Sequence, residues 1–149
     1  MRKEITALTL RDFGVHSRGK KFKEETGSAQ PEGYYDELIE FFTQRIWQLL
    51  DNLILNITAG NSIFPVTLEE LATRRMYQNA AIVNCEQLLQ EILYCEDVMP
   101  KKASTFIPYV EKIEFEIRLL RGWRKSNTKL KERIETLKTK KENGGEKKE

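Results

Sequence analysis

Apolar residues recur along three long stretches of the chain at spacings of three and four, the repeat that lines one face of an α-helix. In the first, Tyr35, Leu38, Phe42, Ile46, Leu49, Leu53 and Ile57 form a stripe that Ile39, Leu50 and Ile54 widen. This predicts a helix from about Tyr34 to Ile57, ended by Gly60-Asn61 and Pro65. Phe41, Trp47 and Leu55 fall off the stripe. An apolar surface that broad calls for burial on more than one side, inside a bundle or against another copy.

The second stretch opens with Thr67-Leu68-Glu69-Glu70, a capping-box pattern in which the Thr hydroxyl and the carboxylate three residues later satisfy the free amides of a first helical turn. Its stripe is Leu71, Ala81, Cys85, Leu88, Ile92 and Cys95, interrupted by Arg74, Arg75, Gln78 and Asn79 around Met76-Tyr77. Those four polar residues form either an exposed turn or a recognition patch, since two adjacent arginines beside a tyrosine suit phosphate or carboxylate. Asp97, Pro100 and Lys101-Lys102 mark a loop. A third helix starts near Ser104-Thr105, with Pro108 tolerated in its first turn, and carries Phe106, Val110, Ile113, Ile117, Leu120 and Trp123 on one face. Gly122 either ends this helix or lets another backbone approach it. Leu130, Ile134 and Leu137 predict a further, weaker amphipathic helix, and the chain from Lys138 onward reads as disordered.

The expected fold is therefore all-α, an up-and-down bundle of three to four helices. Residues 1–33 form a basic, flexible N-terminal arm, residues 34–127 the bundle, and residues 128–149 a basic helical extension and tail. Within the arm, Ile5 to Leu10 alternates like a short strand suited to docking on a partner. At 149 residues and 40% apolar side chains, the chain can build one core and not two.

Charge changes this picture, because it is segregated. Residues 1–23 hold seven Lys/Arg against two acids, and residues 24–117 hold sixteen Asp/Glu against six bases. From Arg118 to Lys141, ten Lys/Arg face only Glu132 and Glu135, a local net of +8 hidden within an overall +2. Basic ends around an acidic body predict a polyanion partner for the ends, the alternative being solvated charge runs. The densest cluster, Leu119-Leu120-Arg121-Gly122-Trp123-Arg124-Lys125-Ser126-Asn127, places a tryptophan and several cations at the end of an apolar helix.

Chemistry is otherwise sparse. The single histidine, His16, lies in the arm, which leaves no histidine-based triad and no di-iron Glu-x-x-His pair. Glu111, Glu114 and Glu116 sit beside Lys112 and Arg118 as a solvated helix face. Gly14-Val15-His16-Ser17-Arg18-Gly19-Lys20-Lys21 is similar to a phosphate-binding loop up to its last position, where Lys21 replaces the hydroxyl residue that holds magnesium. Cys85 and Cys95 are ten residues apart inside an apolar stripe and read as buried, reduced thiols of an intracellular protein. No signal peptide and no membrane span is expected, so the sequon at Asn56 carries no weight. The expectation is a protein with no enzymatic activity, cofactor or metal.

The capped helix with Arg74-Arg75-Met76-Tyr77, followed by a helix ending in Leu119-Leu120-Arg121-Gly122-Trp123-Arg124-Lys125-Ser126, resembles the accessory variability determinant family of diversity-generating retroelements over about residues 67–127. The resemblance implies a small helical bundle assembling as a pentamer, without catalysis of its own. Such a protein would bind a reverse transcriptase and its template RNA in the cytoplasm during mutagenic cDNA synthesis. It also implies Arg121, Arg124 and Lys125, with Arg118, Arg74 and Arg75 next, as nucleic-acid contacts. The family has four bundle helices, where three strong ones are evident here. A bundle with a purely structural or protein-interaction role is the alternative reading.

Overall fold

A computed structural model describes residues 34–99 and 103–145, with side chains over 36–99 and 104–140. The described chain is an all-α bundle of three helices: α1 (Tyr34–Ser62), α2 (Leu68–Val98) and α3 (Ile107–Gly145), with a short 3-10 turn at Ala103–Thr105. The arm of residues 1–33, with its strand-like segment, His16 and the Gly14–Lys21 loop, lies outside the described residues, as do residues 100–102 and 146–149.

The helices form because each carries an apolar face and the three faces meet. Ile39, Phe42, Ile46, Leu50 and Leu53 of α1 are buried against Ala81, Ile82, Cys85, Leu88, Ile92 and Cys95 of α2 and Tyr109, Ile113, Ile117 and Leu120 of α3. Each large side chain so removed from water contributes about 1.5–3 kcal/mol. Of the residues expected off the first stripe, Phe41 and Leu55 are exposed. The helix α2 packs along both others. Bonds run antiparallel across each pair, Arg45–Glu91 and Asn56–Asn84 between α1 and α2, Arg121–Glu86 and Asn127–Gln78 between α2 and α3.

Helix ends are less legible in the sequence than helix faces. The start of α2 is as expected: Thr67 Oγ1 accepts from the Glu70 amide at 3.2 Å, while the Glu70 carboxylate accepts from the amides of Val66 and Thr67 at 2.8 and 3.1 Å. Three boundaries differ. Helix α1 runs through Gly60-Asn61 to Ser62, because Gly60 is packed within the bundle at that point. Helix α3 is continuous through Gly122, where an added Cβ would meet nothing within 4 Å. Gly122 therefore neither ends the helix nor receives another backbone among the described residues. The expected separate helix around Leu130 and Ile134 is the same helix, which continues beyond Lys138 to Gly145. Its run of Lys, Glu, Thr and Leu137 over 135–142 has no breaker, so propensity suffices to propagate a helix already nucleated by the core.

Candidate nucleic-acid interface

The basic segment of α3 lies against the first half of α2, and the two helices leave a groove of about 770 Å³ between them. Arg75 from α2 and Arg121, Arg124, Lys125 and Lys131 from α3 line it, over a floor of Leu68, Leu71 and Ala72. No carboxylate lines it among the described residues. Helical spacing explains the convergence: positions 121, 124, 125, 128 and 131 differ by three or four and share one face of α3. Arg121 donates to Glu86 at 2.9 Å, with both side chains about half exposed, and Arg124 donates to Asn79 at 2.8 Å. Pairs this exposed contribute on the order of 0–1 kcal/mol, so a stronger anion can displace them.

Four of the six sequence-predicted residues thus meet in one groove. The other two do not. The Arg118 guanidinium lies over the Phe115 ring of its own helix, 5.8 Å from the centroid. Arg74 points to the other side of α2, where its Nη1 donates to the Ile63 carbonyl at 2.9 Å and its guanidinium lies 5.5 Å from the Trp123 ring centroid. A cation on a carbonyl just past a helix end is favourably placed in the helix dipole, so Arg74 serves the junction between α1 and α2. Trp123 completes that junction. Its Cη2 would lie 3.0 Å from a Cβ on Gly60, and Tyr77 Cβ would lie 3.2 Å from the same point. Glycine is required there because the indole of α3 is wedged against the backbone of α1.

The polar interruption of the second stripe is accordingly neither an exposed turn nor a single patch. Arg75 faces the groove, Asn79 holds Arg124, Arg74 holds Ile63, and Gln78 is wholly buried. Gln78 Oε1 accepts from Asn127 Nδ2 at 2.6 Å, and Asn127, 5% exposed, lines the groove. The remaining atoms of the pair, Gln78 Nε2 and Asn127 Oδ1, have no partner among the described residues. A buried polar atom left unpaired costs about 1–3 kcal/mol. Sequence reasoning missed both residues as core positions. The signal existed, since Gln78 lies seven residues from Leu71 and from Cys85, and Asn127 seven from Leu120, all of them buried.

Lys131 and Thr128 are further groove residues that the charge pattern did not single out, and helical spacing from Arg124, four residues to Thr128 and seven to Lys131, would have found them. The carboxylate of Glu70 is held below the ordinary glutamate range by its bonds to the Val66 and Thr67 amides. Burial pushes the Cys85 thiol up to about 12 and raises Cys95 further, and both are free. No helix among the described residues is long and apolar enough to cross a membrane.

Compared with protein-family models, with curated proteins and with solved structures, the chain matches none of them.

Proposed function

We propose that this chain is a non-catalytic accessory protein that holds the phosphate backbone of a nucleic acid in the α2/α3 groove, in the service of a reverse transcriptase and its template RNA. The observation that carries the nucleic-acid reading is the convergence of Arg75, Arg121, Arg124, Lys125 and Lys131 on one groove without a carboxylate among the described residues of its lining. Arginine forks and lysine ammonium groups at helical spacing match phosphates in sequence along a strand. The polymerase, and the cDNA as a second ligand, enter through the resemblance of the Arg74–Tyr77 and Leu119–Ser126 segments to the retroelement accessory family. The same reading makes the working form a cytoplasmic homo-oligomer, a pentamer by resemblance. Exposed Phe41 and Leu55 on α1, with Phe115 and Leu119 on α3, support an assembled form.

One observation favours the competing reading of a structural module with no nucleic-acid role: Arg121 and Arg124 already have partners on α2. A triple variant, Arg121→Gln, Arg124→Gln and Lys125→Gln, separates the two. Glutamine keeps helix propensity and removes charge. Removing one phosphate contact lowers the slope of log affinity against log salt by about 0.7 for a single strand, so the variant loses about 2 in slope. Unchanged nucleic-acid affinity at low salt refutes the proposal. Dissociation of the oligomer with no change in nucleic-acid affinity per protomer supports the structural module.

A further inference from the structure

We infer that the end of the bundle beyond the last turn of α1 is a docking cleft for an acidic amphipathic helix of a partner protein, which takes the position that α1 leaves open. The cleft adjoins the cationic groove and shares Leu68 with it. Its occupant does not depend on whether that groove binds nucleic acid.

Helix α3 keeps its α1-facing side apolar for longer than α1 lasts. Trp123 meets α1 at Gly60, and α1 ends at Ser62. Leu130, Ile134 and Leu137 follow Trp123 by 7, 11 and 14 positions, close to two, three and four turns, so they prolong the face that Trp123 begins. Between this stretch and the start of α2 lies a cleft of about 680 Å³, walled by Val66 and Leu68 on one side and by Ile134 and Leu137 on the other. Val66, Leu68 and Leu137 are 75%, 41% and 53% exposed, and Phe64, on the same connection as Val66, is 82% exposed. The α1–α3 contact thus continues as an apolar surface with no third helix to cover it among the described residues.

The main chain decides the form of the occupant. Helices spend their amides and carbonyls internally, and the connection is no freer: the Glu70 carboxylate holds the amides of Val66 and Thr67, and Arg74 holds the Ile63 carbonyl. The cleft therefore offers no row of main-chain groups to an extended strand. A segment bound here has to satisfy its own backbone, as a helix does, and to present apolar residues at spacings of three and four. Charge decides its polar face. Residues 128–140 carry five Lys/Arg against Glu132 and Glu135, and Lys138 lines the cleft itself, so an acidic helix is attracted and a basic one repelled. Residues 1–23 of this chain, with seven Lys/Arg against two acids, have the wrong sign to fill it.

The test uses two fluorescein-labelled peptides, each about four turns long and stapled on its outer face to hold it helical. Both carry Leu at the a and d positions; one has Glu at the flanking positions and the other Lys. Anisotropy titrations with the full chain are expected to show the Glu peptide bound at least about tenfold tighter than the Lys peptide. The double variant Val66→Ser with Leu137→Gln changes two exposed side chains, and circular dichroism should report an unchanged helical signal. It is expected to weaken the Glu peptide by about tenfold or more, since burial of a single large apolar side chain is worth that much. No binding of the Glu peptide to wild type at low salt overturns the inference, and so does equal binding of the two peptides. Undiminished binding of the Glu peptide to the double variant places it elsewhere, on the cationic groove, and overturns the assignment to the cleft. Sedimentation velocity and flotation with phosphatidylserine vesicles test the other occupants. If the double substitution dissociates an assembly of this chain, or abolishes vesicle binding that wild type shows, a second copy or a lipid surface fills the cleft and the partner helix is refuted. The salt slope of RNA binding is expected to be the same in wild type and double variant. Failure of wild type to bind RNA would overturn the groove reading alone and leave the peptide result standing.

Discussion

Two glycines on neighbouring helices make opposite predictions from the same substitution. Gly60 and Gly122 both lie inside regular helix, where alanine is favoured over glycine by about 1 kcal/mol. At Gly122 an added methyl meets nothing within 4 Å, so Gly122→Ala gains close to that full amount. At Gly60 the new Cβ lies 3.0 Å from Trp123 Cη2, 3.2 Å from Tyr77 Cβ and 3.6 Å from the Arg74 carbonyl. Two of these three atoms belong to α2 at or beside its backbone and do not yield. The third is the far edge of a rigid indole whose ring is flanked by the Arg74 guanidinium. Overpacking of this kind costs about 1–3 kcal/mol, which offsets the propensity gain and leaves Gly60→Ala destabilised by about 1 kcal/mol. The two variants should therefore differ by roughly 2 kcal/mol, a separation that shifts the urea midpoint in opposite directions at constant m-value. Urea titrations followed by circular dichroism measure it. If Gly60→Ala proves as stable as Gly122→Ala, the wedge of Trp123 against α1 is wrong. If Gly122→Ala destabilises the protein only at concentrations where it is assembled, another copy's backbone lies against Gly122.

Individual bonds set the remaining expectations. Thr67→Ala should cost about 1 kcal/mol by removing the cap of α2, read as a lowered urea midpoint. Because Glu70 is held below the ordinary glutamate range in the folded state, its contribution is complete at neutral pH and is lost as pH falls through its lowered value. Glu70→Gln should flatten that part of the acid limb of stability, and an unchanged limb would show the cap bonds to be absent in solution. With the Cys85 thiol pushed up to about 12 and Cys95 raised as well, iodoacetamide at neutral pH should label neither until the bundle opens. Labelling faster than amide exchange of the core would contradict the burial. Glu86→Gln releases Arg121 from its 2.9 Å pair and should tighten RNA binding by about two- to fivefold at low salt; weaker binding would mean that the pair orients Arg121 for its ligand.

The faces of the helices could be read directly, because burial selects residues at a fixed period: Phe42, Ile46 and Leu53, or Cys85, Leu88 and Ile92, are placed by spacing alone and all are fully buried. The capping box was equally legible, since its bonds are local. Boundaries and polar core positions were not. Gly60 reads as a helix stop only until Trp123, 63 positions away, is known to need the space. Gln78 reads as a polar interruption and Asn127 as the end of a basic cluster, because the bond that joins them spans 49 residues, and seven-residue spacing from buried neighbours is the only local trace of their burial. The groove was half legible: the cations of α3 share a face by spacing, whereas the turning of Arg75 towards them and of Arg74 away depends on how α2 is rotated in the bundle.

The continuity of α3 has a consequence for encounter as distinct from binding. One uninterrupted helix carries Glu111, Glu114 and Glu116 near its start and Arg121 through Lys140 in its later turns, so the molecule has a long charge separation mounted on a stiff rod. In the field of a polyanion such a rod experiences a torque before any contact, turning its cationic half inward and its acidic half away. Productive collisions are thereby enriched over random ones, and the association rate should fall with ionic strength over a Debye length of about 10 Å at 0.1 M salt.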